Sequence, residues 1–120
     1  MMNFDADILS ELRDRREVAI RTEKHPKNAV VIWLVVAGDQ LLVRSVRGTT
    51  GRWYMDLAEG GPATLEFAGR RLAVQAVPEK DPGAVDRASQ EYLRKYQPSP
   101  YAQAMVKPEV LPTTLRLEPR

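Results

Sequence analysis

The sequence contains no cysteine and only one histidine among its 120 residues. The absence of cysteine excludes disulfides, thiolate metal sites and a cysteine nucleophile. A single histidine also argues against a multi-histidine metal cluster and against a Ser-His-Asp triad. We therefore predict no metal site and leave the catalytic residues unassigned. His25 directly precedes Pro26, so we interpret it as an exposed loop residue.

Long apolar runs and a strong charge of either sign are also missing. The longest apolar run, Ala29–Ala37, is far too short to span a bilayer, and the N-terminus lacks a signal-peptide pattern. The formal net charge is +2, which is too small to make nucleic acid the default partner. These absences predict a cytoplasmic protein of one domain, with no membrane and no nucleic-acid partner.

The pattern of the remaining residues predicts a mainly β protein of the α+β class. Ala29–Ala37 is the strongest strand, and its β-branched residues predict a central position buried on both faces. Gly38 and Asp39 would turn it into an antiparallel partner, Gln40–Val46. Further strands are predicted at Glu17–Thr22, Ala63–Ala68, Arg71–Val77 and Thr113–Leu117, and helices at Asp5–Arg16, from about Arg52 to Leu57, and from Asp81-Pro82 to about Tyr96.

About six strands joined by hairpins predict a small antiparallel β-barrel over residues 1–120, with an N-terminal helix and a late helix. Closure of the sheet would protect strand edges that a flat sheet of this size leaves exposed.

The stretch Gln40–Tyr54 holds three arginines, and no carboxylate occurs between Gln40 and Met55. Arginine forks bind phosphate or carboxylate groups in pairs of hydrogen bonds. If Arg44 and Arg47 hold a phosphate, we expect removal of either to weaken binding while the fold survives. On a regular strand the two would point to opposite faces, so the strand would have to end or bulge near Ser45–Val46.

Glycines and aromatic residues accompany these arginines. Gly48 and Gly51 would let backbone N–H groups approach an anion, while Trp53 and Tyr54 offer flat apolar faces. Such a combination suits a phosphorylated, planar, ring-bearing ligand. The same residues also fit an ordinary solvated loop with surface arginines and a core tryptophan.

The order of these parts resembles a known superfamily. A strand with W-x-V-V is followed by a strand ending V-R-S, then by R-G-x-x-G-x-W-Y-x-x-L and by L-E-F-x-G-x-x-x-x-V. This arrangement, over Val18 to Val77, is similar to the split β-barrel FMN- and deazaflavin-dependent oxidoreductases, which include pyridoxamine phosphate oxidases and deazaflavin-dependent nitroreductases. The segment at Lys95-Tyr96 is closer to an uncharacterised branch of that superfamily.

The resemblance implies a cofactor, FMN or a deazaflavin coenzyme, and a small organic substrate that gives or accepts hydride. It also implies a homodimer with the cofactor at the subunit interface. Arg21 would lie near the ring end of the cofactor. The cofactor-binding residues implied by the match are Arg44, Ser45, Arg47, Gly48, Trp53, Tyr54, Thr22 and Trp33.

Other functions remain open at this point. Many flavin-binding relatives carry a further basic residue after the glycine-rich turn, whereas Trp53-Tyr54-Met55 contains none. A non-catalytic module that only carries the cofactor would need the same pocket. A nucleic-acid-binding barrel would need a continuous basic groove, which acidic residues such as Glu17 and Glu66 interrupt. Tyr54 could donate a proton to a reduced substrate or simply form a wall of the site.

Overall fold

The computed structural model describes residues 4–120 of the chain. The α-helices are α1 (Ala6–Asp14), α2 (Arg52–Leu57) and α3 (Pro82–Tyr96). The strands are β1 (Glu17–Thr22), β2 (Val30–Ala37), β3 (Gln40–Val43), β4 (Gly61–Phe67), β5 (Arg70–Pro78) and β6 (Leu115–Pro119). Short 3₁₀ segments occupy Gly48–Thr50, Pro100–Val106 and Leu111–Thr113.

The strands form a closed barrel in the order β1-β2-β3-β6-β5-β4, and β4 pairs with β1 to complete the ring. Every neighbouring pair is antiparallel. The prediction of a small antiparallel barrel with an N-terminal helix and a late helix is therefore confirmed. Closure leaves none of these strands with an unpaired edge.

Alternation along the strands produces two separate apolar clusters. Residues that point into the barrel, such as Leu34, Leu65 and Val74, form the main core. Residues that point outward from β2 and β3, such as Val35 and Leu42, pack against α3 in a second cluster. The second cluster is what holds α3 and the segment Pro100–Val106 against the barrel wall.

The prediction that the whole of Ala29–Ala37 is buried on both faces is only half right. The second half of β2, from Leu34 to Ala37, is buried because α3 covers its outer face. The first half is open, and the side chains of Val30 and Val31 are 36% and 62% exposed. The apolar run therefore continues past the covered part of the strand onto the surface.

The strand that follows also differs from its prediction, because β3 ends at Val43 rather than Val46. Val43 pairs with both Leu34 and Leu115. Beyond it the chain leaves the sheet, and the next residue, Arg44, is bound by acceptors on α3 and on the segments after it. This early exit brings residues 44–53 alongside the open half of β2.

Candidate functional site

The open half of β2 forms one wall of a cleft of about 560 Å³. This volume lies within the range of about 300–1,000 Å³ that is usual for small-molecule sites. The cleft is bounded by β1 and β2, by the chain after β3, by the start of α2 and by the segment Pro100–Val106. Its lining residues are Glu17, Val30, Val31, Ile32, Trp33, Arg44, Ser45, Val46, Arg47, Gly51, Arg52, Trp53, Tyr101 and Met105.

Trp33 is the end of an aromatic stack that reaches the cleft from the helix side. Its ring lies parallel to that of Tyr96, with the centroids 4.0 Å apart and the planes at 3°. Tyr92 follows Tyr96 with a centroid distance of 5.9 Å. Trp33 is half-buried whereas both tyrosines are buried. The Trp33 indole is therefore partly accessible from the cleft, and the stacked ring of Tyr96 supports it from behind.

Hydrogen bonds hold Tyr96 in place behind that indole. Its hydroxyl accepts from the Leu34 N–H at 3.1 Å and lies 2.6 Å and 2.8 Å from the carbonyl oxygens of Arg16 and Leu34. Burial raises the pKa of this hydroxyl to about 12, and the negative charge of Glu17 contributes to the rise. Tyr96 thus links α3 to β2 as a neutral phenol over the whole physiological pH range.

Two arginines at the cleft have no partner in the part of the chain that the structure describes. Arg47 and Arg52 are exposed, and within residues 4–120 neither guanidinium forms a hydrogen bond or an ion pair. Arg47 follows the end of β3 and Arg52 begins α2, so the short turn between them places both at the same cleft. Their donors are available to an anionic ligand.

Arg44 has a different environment from these two, because it is only 1% exposed. Its guanidinium donates to Thr114 Oγ1 (2.8 Å), Ser89 Oγ (2.9 Å) and the carbonyl oxygens of Met105 (3.0 Å) and Val85 (2.7 Å). Burial lowers the pKa of this guanidinium. Most of its N–H donors form hydrogen bonds within the protein, so we expect the fold to depend on Arg44. The sequence had led to the opposite expectation, that the fold survives the removal of Arg44.

Ser45 and Gly51 are packed directly against each other at the base of the cleft. A Cβ added at Gly51 would collide with the Ser45 hydroxyl. The Ser45 N–H donates to Thr113 Oγ1 at 3.0 Å, and its carbonyl accepts from the Gly48 N–H at 2.9 Å. Glycine at position 51 therefore lets α2 approach the chain that carries Arg47.

Three of the predicted site residues lie outside the cleft. Tyr54 packs in the main core, and Gly48 is buried with a φ of +66°, which favours glycine there. Thr22 is at the end of β1 and donates to Asp56. Arg21, expected near the ring of a ligand, instead binds the Glu66 carboxylate with two nitrogens, at 2.6 Å and 3.2 Å. The cleft includes the other predicted residues, which are Arg44, Ser45, Arg47, Trp53 and Trp33.

The sequence did not point to the apolar rim of the cleft. Val31, Val46 and Tyr101 are 62%, 56% and 71% exposed, which is unusual for side chains of this size. Tyr101 comes from a segment far along the chain, so local patterns could not place it beside β2. Val31 lies in the apolar run that was predicted as a buried strand, and Val46 lies at the end of the next predicted strand.

A separate polar cluster joins the loop after β1 to α2. Asp56 Oδ2 accepts a hydrogen bond from Thr22 Oγ1 at 2.6 Å. The same oxygen lies 2.6 Å from His25 Nδ1. His25 is therefore a partner of α2 rather than a free loop residue. Burial opposes ionisation of Asp56, but the hydrogen bonds from Thr22 and His25 outweigh it, so the pKa of Asp56 lies below its ordinary value of 3.8.

This cluster predicts a stability that depends on pH. Because the pKa of Asp56 is lower in the folded state, its contribution is complete above pH 3.8 and is lost as the pH falls through the folded-state value. At pH 7, Asp56→Asn should lower the unfolding free energy by about 1–2 kcal/mol. Urea denaturation should show that this difference shrinks at pH values below 3.8.

Asp86→Asn is the matched control for that measurement. Asp86 is exposed and accepts only from Gln90 on the same helix within the residues that the structure describes. Its replacement should change stability by less than about 0.5 kcal/mol. Equal effects of the two substitutions at pH 7 would contradict the role of Asp56.

The sequence matches a known family model over most of its length. The family model described as "Uncharacterized protein conserved in bacteria (DUF2255)" matches residues 8–117. The chain belongs to the DUF2255 family. No curated protein matches the sequence of this DUF2255 protein.

A solved structure shares the fold of this DUF2255 protein. It is the crystal structure of the conserved hypothetical protein Rv2991 from Mycobacterium tuberculosis, with a TM-score of 0.61 and 11% sequence identity. The similarity covers 95% of this chain and 78% of that chain. At this level of identity the likeness shows the common fold alone.

Residues 4–120 contain neither a candidate membrane span nor a candidate metal site. No helix among them is long and apolar enough to cross a membrane. Nor do these residues contain a group of three or more histidine, aspartate or glutamate side chains that could hold a metal ion.

Proposed function

We propose that the cleft binds FMN or a deazaflavin coenzyme and that the protein is an oxidoreductase, which transfers hydride between this cofactor and a small organic substrate. One observation carries the proposal. The same cleft is lined by the half-buried Trp33 indole, which stacks on Tyr96, and by two arginines that have no partner within residues 4–120. This is the combination that a phosphorylated planar cofactor needs.

The ring of the cofactor would stack on Trp33. An aromatic side chain contributes about 1–3 kcal/mol to the binding of a stacked base, and a tricyclic ring has a larger face. The parallel contact with Tyr96 fixes the indole plane before the ligand arrives, so little side-chain freedom is lost on binding. The exposed valines beside Trp33 would cover the rest of the ring's apolar surface.

The phosphate of the cofactor would bind to Arg47 and Arg52. Both are exposed at the cleft, and their side chains have no competing acceptor within residues 4–120. Arg44 contributes its positive charge from beneath the cleft, where no ion pair neutralises it in the described part of the chain. The basic residue missing from Trp53-Tyr54-Met55 is thus replaced by Arg52, one position earlier.

When bound, the cofactor supplies the hydride chemistry, and the protein's residues bind and orient it. Trp33 and the valines would exclude water from one face of the ring. Tyr54 lies in the core rather than at the cleft, so it is not assigned a proton-transfer role.

The first test is a titration of FMN and of a deazaflavin against purified protein, followed by tryptophan fluorescence. Arg47→Ala and Arg52→Ala should each weaken binding about 10- to 150-fold, the effect of losing a charge-assisted hydrogen bond of about 1.5–3 kcal/mol. Both side chains are exposed, so the melting temperature should hardly change.

Arg71→Ala is the matched control for the titration. Its side chain is 75% exposed and lies on β5, away from the cleft. This variant should bind the cofactor as tightly as the wild type. Unchanged affinity in both Arg47→Ala and Arg52→Ala would contradict the phosphate site.

A non-catalytic cofactor-binding module is the alternative function. It is favoured by the lack of an obvious acid–base pair, because the titratable side chains at the cleft are three arginines, Glu17 and Tyr101. The enzyme and the non-catalytic module can be distinguished by stopped-flow mixing of the reduced, cofactor-loaded protein with a panel of nitroaromatic, quinone and enone acceptors. Oxidation of the bound cofactor faster than that of the free cofactor would support the enzyme, and slower oxidation throughout would support the module.

We also propose that the protein is a homodimer. The exposed valines and Tyr101 form an apolar rim around the cleft, which a second subunit would cover. Light scattering during size-exclusion chromatography should give twice the chain mass of 13.5 kDa. Val31→Glu should shift the population towards monomer, because it places a charge in the contact. A wild-type mass of one chain at micromolar concentration would contradict the dimer.

A further inference from the structure

Glu17 is the only acidic residue that lines the cleft in the part of the chain described. It is the first residue of β1 and pairs directly with Trp33 on β2. Directly opposed residues on antiparallel strands point to the same face, with Cβ atoms about 4.5–5.5 Å apart. The Glu17 side chain therefore lies beside the indole on which the cofactor ring would stack.

The carboxylate of Glu17 is available to a ligand. Glu17 is exposed, and no hydrogen bond or ion pair involves its side chain among residues 4–120. The barrel order places β2 between β1 and β3. Glu17 is accordingly on one side of Trp33, while the segment with Arg47 follows the strand on the other side.

The cleft therefore carries a negative charge on one side of Trp33 and positive charges on the other. Neighbouring strands are about 4.8 Å apart, so the backbone at Glu17 and the backbone after β3 are separated by about 10 Å. Glu17 forms no ion pair with Arg47 or Arg52 among residues 4–120, so both signs of charge are open to a ligand that lies between them. A ligand lying on Trp33 would meet basic groups at one end and an acceptor-only carboxylate at the other.

We propose that Glu17 selects the ring by accepting a hydrogen bond from an N–H on its edge. This inference rests on the proposed function of the cleft. Flavins and 5-deazaflavins share the imide N–H of their pyrimidinedione ring, so Glu17 would favour both over rings without that donor. The carboxylate would also disfavour negative charge on the reduced ring, because like charges repel at short range.

The inference is tested with FMN and 3-methyl-FMN, in which a methyl group replaces the imide hydrogen. If only the deazaflavin binds, its 3-methyl derivative is used in the same way. The wild type should bind the parent cofactor at least about tenfold more tightly than the methylated one, as expected for a charge-assisted hydrogen bond. In Glu17→Ala this preference should fall below about twofold, and in Glu17→Gln it should be intermediate.

Glu109→Gln is the control, since Glu109 is exposed and does not line the cleft; it should keep the full preference. A second readout is the reduction potential of the bound cofactor, which should be higher in Glu17→Gln than in the wild type. A preference that persists in Glu17→Ala, or a wild type without preference, would overturn the role of Glu17 alone. A wild type that binds neither FMN nor a deazaflavin would instead overturn the proposed function.

Discussion

Replacing Arg44 with alanine should lower the free energy of unfolding by about 3–4 kcal/mol. The substitution leaves the acceptors on Thr114, Ser89, Met105 and Val85 without their donor. A buried polar group without a partner costs about 1–3 kcal/mol, and water that enters the vacated space would satisfy some of the four. Urea denaturation followed by circular dichroism measures the loss.

Two further variants separate the geometry of Arg44 from its charge. Arg44→Lys keeps the charge but has three donors on one nitrogen, which cannot reach acceptors arranged around a planar fork. It should lose about 2 kcal/mol, intermediate between alanine and arginine. Arg71→Ala should lose less than about 0.5 kcal/mol because Arg71 is largely exposed. An Arg44→Ala protein as stable as the Arg71→Ala protein would show that Arg44 does not support the fold.

The case of Arg44 illustrates which parts of the site the sequence could reveal. A local excess of arginine over carboxylate is visible in Gln40–Tyr54, and the cleft indeed includes all three arginines of that stretch. What separates Arg44 from Arg47 is a set of acceptors on residues more than 40 positions away. Because no local pattern encodes those contacts, both arginines were predicted from the sequence as cofactor-binding residues.

Local signals were sufficient for much of the fold. Asp81 followed by Pro82 predicted the start of α3, and Asp81 Oδ2 does accept from the Ala84 N–H at 2.9 Å. The turn at Gly38-Asp39 joins β2 and β3 as expected, with φ of +63° at the glycine. These elements were predictable because cap and turn chemistry depends on neighbours in sequence.

Exposure could not be predicted in the same way. Val31 and Val35 have the same residue type and the same outward direction on β2, yet Val31 is 62% exposed and Val35 is fully buried. The difference is α3, which covers one end of the strand and leaves the other open. Its position depends on the Tyr96 contacts with β2, and these join residues 62 positions apart in the chain.

Tyr96→Phe should therefore lower the unfolding free energy by about 2–4 kcal/mol, although it removes a single oxygen atom. The hydroxyl accepts from the Leu34 N–H and lies against the carbonyl oxygens of Leu34 and Arg16. The N–H is buried in the barrel wall, so its lost partner accounts for most of the cost. The Leu34 carbonyl keeps a second donor, Lys95 Nζ, at 3.0 Å.

Tyr92→Phe is a matched control one helical turn earlier on α3. Tyr92 is also fully buried and lies at the Arg44 backbone, but the hydrogen bond that its hydroxyl donates, to the Trp33 carbonyl, is longer at 3.3 Å. Its loss should cost about 1 kcal/mol. Both variants keep the aromatic rings and hence the stack behind Trp33, so cofactor affinity should change less than about threefold in either while the protein is folded. Equal stability losses would contradict the role of the Tyr96 hydroxyl, and a large loss of affinity in Tyr96→Phe would show that this hydroxyl, rather than the stacked ring, positions Trp33.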